Sequence, residues 1–193
     1  LTDAADGSTL ALAKTGSGAW TLTAKNTFTG GTTVTAGTLV LAAEASLASP
    51  VTIKGGATFA PAKDADLASP VTIEDGGTLF VAESQTLPFA LAFSGTAKLL
   101  LAPGIDVVIP ADSTTMAEGV KLVLCLGEGS RVKMSDGSAP TWLAFASSRG
   151  LFMPKTTDAD GYFTLAETRW QGADSVSWTE PANWTAGVPT EAC

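Results

Sequence analysis

Apolar and polar residues alternate along this chain in short runs, and the runs recur about every twenty residues. Trp20 and Leu22, Leu39 and Leu41, Phe59 and Pro61, Leu79 and Val81, and Leu99 and Leu101 form one ladder, whose first members step by 19, 20, 20 and 20. Val51 and Ile53, Val71 and Ile73, and Leu91 and Phe93 form a second. Within each run one residue separates the apolar pair, as in Val51-Thr52-Ile53. A period of two places the pair on one face, which is the signature of a strand. Corners such as Lys54-Gly55-Gly56 and Glu74-Asp75-Gly76-Gly77 separate the runs, and glycine there accepts the positive φ of a tight turn.

Two or three short strands per twenty residues predict one turn of a β-solenoid. The period also suits leucine-rich repeats, but their helical half and asparagine ladder are missing. The competing arrangement is an antiparallel sandwich of evenly spaced strands. Registered stacking of two apolar ladders favours the solenoid, in which equivalent residues lie about 4.8 Å apart. Val51, Val71 and Leu91 then form one interior column, Ile53, Ile73 and Phe93 a second, and Phe59, Leu79 and Leu99 a third. Each buried side chain contributes about 1.5–3 kcal/mol. Lys54 and Glu74 fall one above the other on the outside.

The expected fold is therefore all-β, a right-handed parallel β-helix of about six rungs with a C-terminal β cap. The segments read as rungs over 1–126, a loop plus terminal strands over 127–169, and a tail over 170–193. Residues 47–102 hold three degenerate rungs, 103–126 a sixth with a longer loop, and 127–141 a polar loop. Trp142 to Phe145, Leu151-Phe152 and Tyr162 to Leu165 supply apolar runs for a hairpin or terminal rung over the open core.

Near the start lie Lys14-Thr15-Gly16-Ser17-Gly18, then Asn26 to Val34 (Asn-Thr-Phe-Thr-Gly-Gly-Thr-Thr-Val), then Ala36-Gly37-Thr38-Leu39. The run from Leu12 to Ala42 resembles the autotransporter-associated β-strand repeat in its entry, centre and exit. It departs at Ala19-Trp20, where Thr-Leu is usual. The resemblance implies a parallel β-helix in a large secreted or surface-displayed bacterial protein, and it implies scaffold rather than catalytic residues.

Composition narrows the chemistry. Among the 193 residues there is no histidine, so histidine triads, histidine metal sites and histidine acid–base catalysis are excluded. A net charge of -8 opposes nucleic-acid phosphates. No apolar run approaches the ~20 residues of a membrane helix. Leu1 opens the chain without a methionine or signal peptide, which reads as a processed form or a piece of a longer protein. Neither a cofactor nor a metal is expected. The two cysteines, Cys125 and Cys193, fit no metal spacing. Cys125 reads as a buried thiol, with Cys193 as a candidate disulfide partner or external tether.

Parallel β-helices include polysaccharide lyases and hydrolases, whose sites cluster acids and Lys/Arg on one outer face, and glycosidases among them need paired carboxylates. The candidates are Asp64, Asp66 and Glu83. Stacking at twenty residues sets Asp64 against Ser84 and Asp66 against Thr86, so no carboxylate pair repeats, and solvated corner residues are the expectation. Asp158-Ala159-Asp160-Gly161 is a fragment of a calcium-loop pattern without downstream ligands, and a plain turn is favoured. The expectation is a protein that is not an enzyme.

The tail carries three of the five tryptophans, Trp170, Trp178 and Trp184, with Asn183. It resembles the tryptophan-rich opening that precedes such repeats in giant bacterial surface proteins. These residues are candidates for an internal cap, for a self-association or neighbouring-module interface, or for stacking on glycans. The sequence thus points to an extracellular or cell-surface structural module, with a glycan-binding adhesin as the alternative and a polysaccharide-active enzyme behind both.

Overall fold

In the computed structural model, which describes residues 1–67, 69–116, 119–139, 143–147, 151–152, 155–165 and 190–191, the twenty-residue period becomes a coil of short parallel strands with three faces. No helix occurs among the described residues. The first face stacks Leu12–Lys14, Thr32–Val34, Val51–Ile53, Val71–Ile73, Leu91–Phe93 and Thr114–Met116 in that order. The second stacks Ala19–Leu22, Gly37–Leu41, Ala57–Pro61, Thr78–Val81, Thr96–Leu101, Lys121–Leu126 and Leu143–Ser147, all parallel. The expected parallel β-solenoid is what the chain forms.

Register follows the text of the sequence. On the first face Leu12, Thr32, Val51, Val71, Leu91 and Thr114 are successive partners. The steps between them are 20, 19, 20, 20 and 23 residues. The last is longer because the offset grows from 20 to 22 across the Ala102 to Ile105 corner and to 23 across the Pro110 to Ser113 corner. On the second face Trp20, Leu39, Phe59, Leu79, Leu99, Leu124 and Phe145 align. The inward residues are sealed: Val51, Ile53, Phe59, Val71, Ile73, Leu79 and Leu99 are all 0% exposed. The outward threonines Thr33, Thr52 and Thr72 form their own column, and cross-strand threonine pairs favour the register. The Lys54–Glu74 pair forms outside at 2.6 Å. Both partners are more than one-third solvated, so it contributes under about 1 kcal/mol.

The third face differs from expectation. Its described strands fall into two separate sheets. Lys25–Asn26, Ser46–Leu47 and Asp66–Leu67 make one; Gln85–Thr86, Asp106–Ile109, Arg131–Met134, Phe163–Leu165 and Lys155–Thr157 make the other. Asp66 stacks on Ser46, not on Thr86. The separation starts on the second face, where pairing between the third and fourth turns stops after Thr58–Thr78 and Phe59–Leu79. Pro61 sits two residues later, and its nitrogen has no hydrogen to donate to a ladder.

Two further readings change. Residues 103–126 straddle two turns, since Asp106–Ile109 closes the fifth and Lys121–Leu126 belongs to the sixth. The stretch read as a loop over 127–141 contains the strand Arg131–Met134. At the far end Leu143–Ser147 continues the second sheet, and Leu151–Phe152 and then Thr190–Glu191 add to it antiparallel. The hairpin of Lys155–Thr157 and Phe163–Leu165 joins the third face, also antiparallel. These reversals end the parallel stack.

Candidate interaction surfaces

The repeat motif at the first two turns is built from inward polar side chains that satisfy backbone. Lys14 occupies an inward slot, in register with Val34 and Ile53, and is only 5% exposed. Its Nζ donates to the carbonyls of Thr15, Gly16 and Ala36 at 2.9, 2.8 and 3.0 Å. A single cation thus closes the corner that would otherwise present three bare carbonyls. Gly37 completes that corner with φ 65°, and a Cβ there would lie 2.4 Å from the Gly18 carbonyl oxygen and 2.5 Å from that of Gly16. Asn26, 3% exposed, donates its amide to the carbonyls of Ala24 and Ser46. Its Oδ1 accepts from the Leu1 nitrogen at 3.1 Å. Sequence reading quoted these residues as pattern and missed their roles; a lysine in an otherwise apolar inward column was the available signal.

At the lower end, residues 1–10 cover the third face. The Leu1 carbonyl accepts from Thr27 N–H, and the Asp3 carboxylate accepts from Thr29 N–H and hydroxyl and from Leu10 N–H. Among the described residues Ala19–Leu22 is the first strand of the second face, paired with Gly37–Leu41. Trp20 is 44% exposed there, although its register partner Leu39 is fully buried.

On the outer surface of the second sheet, Val40 and Ala60 align, as do Phe80, Leu100 and Cys125. Where pairing stops at Pro61, a cleft of about 310 Å³ opens, lined by Val40, Ala60, Pro61, Phe80 and Ala82 with Glu83 among its polar walls. Higher on this surface Val123 and Cys125 alternate with the inward Leu122, Leu124 and Leu126, yet both are 1% exposed.

At the upper end a clasp fixes the terminal hairpin. Arg131 donates from Nε and Nη2 to the two Asp106 oxygens at 2.8 and 2.5 Å, and from Nη1 to Asp158 Oδ2 at 2.7 Å. Its guanidinium lies 4.6 Å from the Tyr162 ring centroid, and Lys133 Nζ lies 4.2 Å from the same ring. Asp158 Oδ1 also accepts from the N–H groups of Asp160 and Tyr162. The carboxylate that suggested a calcium loop is thus occupied as a turn-former and ion-pair partner. The Tyr162 N–H holds the Asp158 carboxyl below the usual carboxylate range, with Arg131 adding to it. Arg131 does the same for Asp106.

The remaining candidates separate. Asp64, Asp66 and Glu83 are all exposed; Asp66 lies on the third face, and Glu83 at the cleft. Trp170, Trp178, Asn183 and Trp184 lie outside the described residues. So does Cys193. Cys125 is disulfide-bonded, not the buried free thiol read from the sequence.

The architecture defines a parallel β-solenoid whose first complete repeat is stapled by Lys14, Asn26 and Gly37. Residues 12–41 match the family model of the passenger-associated-transport-repeat, in agreement with the resemblance read from Leu12 to Ala42. No curated protein and no solved structure matches the chain.

Proposed function

We propose that this chain is a non-catalytic scaffold module of a secreted or surface-displayed bacterial protein, serving extension, display or self-assembly. The observation that carries this reading is the uninterrupted inward stacking of apolar columns from turn to turn. Such a stack gains length by repetition and buries its core without a central pocket. The passenger-type repeat at residues 12–41 supports export. The test has two arms. Antibody raised against the folded chain should label intact cells of the producing bacterium. The purified chain should release no reducing ends from a polysaccharide panel; turnover abolished by Asp64→Asn with Asp66→Asn would overturn the non-catalytic reading.

The density of tryptophan in the tail favours a second reading, an adhesin that stacks Trp170, Trp178 and Trp184 on sugar rings. A glycan array with the full chain and a triple Trp→Ala variant decides it. Selective binding lost in the variant supports the adhesin, and equal signals from both proteins remove it.

A further inference from the structure

At its upper end the second sheet buries two residues on its outer surface. Val123 and Cys125 point outward, opposite to the inward Leu122 and Leu124, yet both are 1% exposed. Leu100 and Ala144 pack beside them, but these sit on neighbouring strands of the same sheet, as register partners of Cys125 and Val123. Neighbours within a sheet leave its outer surface open, so a further segment has to lie over this pair. Cys125 is disulfide-bonded, and the chain holds one other cysteine, Cys193. Strand pairing brings the end of the chain within reach. Cys125, Ala146, Phe152 and Thr190 are successive register partners across the sheet. Three ladder steps of about 4.8 Å put Thr190 about 14 Å from Cys125. Three further residues extend at most about 10 Å, and a disulfide joins Cα atoms about 6 Å apart. Cys193 therefore reaches Cys125 by turning back over the outer surface, where the buried pair needs cover.

We propose that a bond between Cys125 and Cys193 latches the end of the chain over the outer surface of the second sheet and locks the antiparallel strands that end the stack. The loop it closes contains Leu151–Phe152, the hairpin of Lys155–Thr157 and Phe163–Leu165, and Thr190–Glu191. Thr190–Glu191 is held to its sheet by two register pairs, so a covalent link close by carries much of its hold. Closing the bond turns two thiols into one disulfide. The two electrons and two protons pass to a disulfide oxidant such as oxidised glutathione, which leaves as two thiols. Such bonds persist outside the reducing cytoplasm, so the upper end is latched only after export. That timing rests on the export part of the reading above; the bond and its structural effect do not. At a position 1% exposed, the closed bond is shielded from attacking thiolates.

The test starts from the full chain, purified in reductant and then treated with oxidised glutathione. Thiols counted in urea should fall from two per chain to none. Peptides mapped without reduction should join Cys125 to Cys193, in protein that runs at the mass of one chain on a denaturing gel. Persisting thiols, glutathione retained on either cysteine, or Cys125 linked to a second chain overturns the bond. Cys193→Ser then tests the latch, since it leaves Cys125 in its buried place. In oxidised wild type the amides of 122–126 and 143–147 should exchange roughly tenfold more slowly than in Cys193→Ser, with 51–81 alike in both. Equal exchange in the two proteins overturns the latch. The glutathione result does not depend on where the chain resides, so antibody labelling confined to the cell interior overturns the export reading and the timing alone.

Discussion

Replacing Lys14 by methionine isolates what the corner lysine does, because the apolar stem is kept and only the ammonium is removed. Three charge-assisted hydrogen bonds of 2.8–3.0 Å are lost, each worth about 1.5–3 kcal/mol in mutational series. Two effects offset this. Methionine does not carry the several kcal/mol of desolvation that a buried ammonium costs, and Thr15 and Gly16 are exposed residues, so water can reach their carbonyls. The net expectation is a loss of about 1–3 kcal/mol. Turns couple chiefly to their neighbours, so the loss should be local to the lower end. Hydrogen exchange should quicken in 12–22 and 32–41 and hold steady in 71–101, and the thermal midpoint should fall by about 2–4 °C per kcal/mol. A Lys14→Met chain matching wild type in both exchange and midpoint would refute the reasoning, since it would mean that the three carbonyls are equally content with water.

Gly37→Ala should cost more than about 2 kcal/mol in urea unfolding, combining left-handed strain with the backbone clash at 2.4 Å, whereas Gly56→Ala, with φ 78° and open space around its Cβ, should cost only about 1 kcal/mol; equal losses at the two sites would show that φ alone matters. Ile73→Asp places a carboxylate in a fully buried column with no partner and should abolish the cooperative melt; a transition near that of wild type would mean the column is not interior. Asp106 and Asp158 have folded-state pKa values below their unfolded ones, so the clasp stabilises above about pH 4 and fades as pH falls through the folded values. Asp158→Asn should flatten the acid side of the thermal-midpoint profile, and an unchanged profile would show that the Arg131 clasp does not hold the hairpin.

Much of this fold could be read from the sequence because in a solenoid the period is the register. Every contact among Val51, Val71 and Leu91 is a contact between residues one period apart, and the Lys54–Glu74 pair follows from the same subtraction. What escaped detection breaks the period or hides its polarity. Arg131–Met134 looked like a loop because its outward residues are cations and its flanks are glycine and serine, although Val132 and Met134 alternate correctly and are buried. The clasp joins Asp106, Arg131 and Asp158, which are 25 and 27 residues apart, after the spacing has lengthened. The split in the third face follows an interval where second-face pairing ends two residues before Pro61, an inward proline that the sequence pattern counts simply as apolar. The tail candidates lie outside the described residues, so the sequence alone speaks for them.

That split has a mechanical meaning. A pull along the axis loads the turns in series, and each interval resists through its ladders acting together. Between the third and fourth turns no third-face ladder occurs among the described residues, and the second-face ladder is reduced to two register pairs, so the first face carries most of the load there. Under tension the solenoid should part at this interval first, as a fuse that spares the turns on either side. Optical-tweezer traces should then show an early low-force event that moves to higher force when Pro61 is replaced by valine.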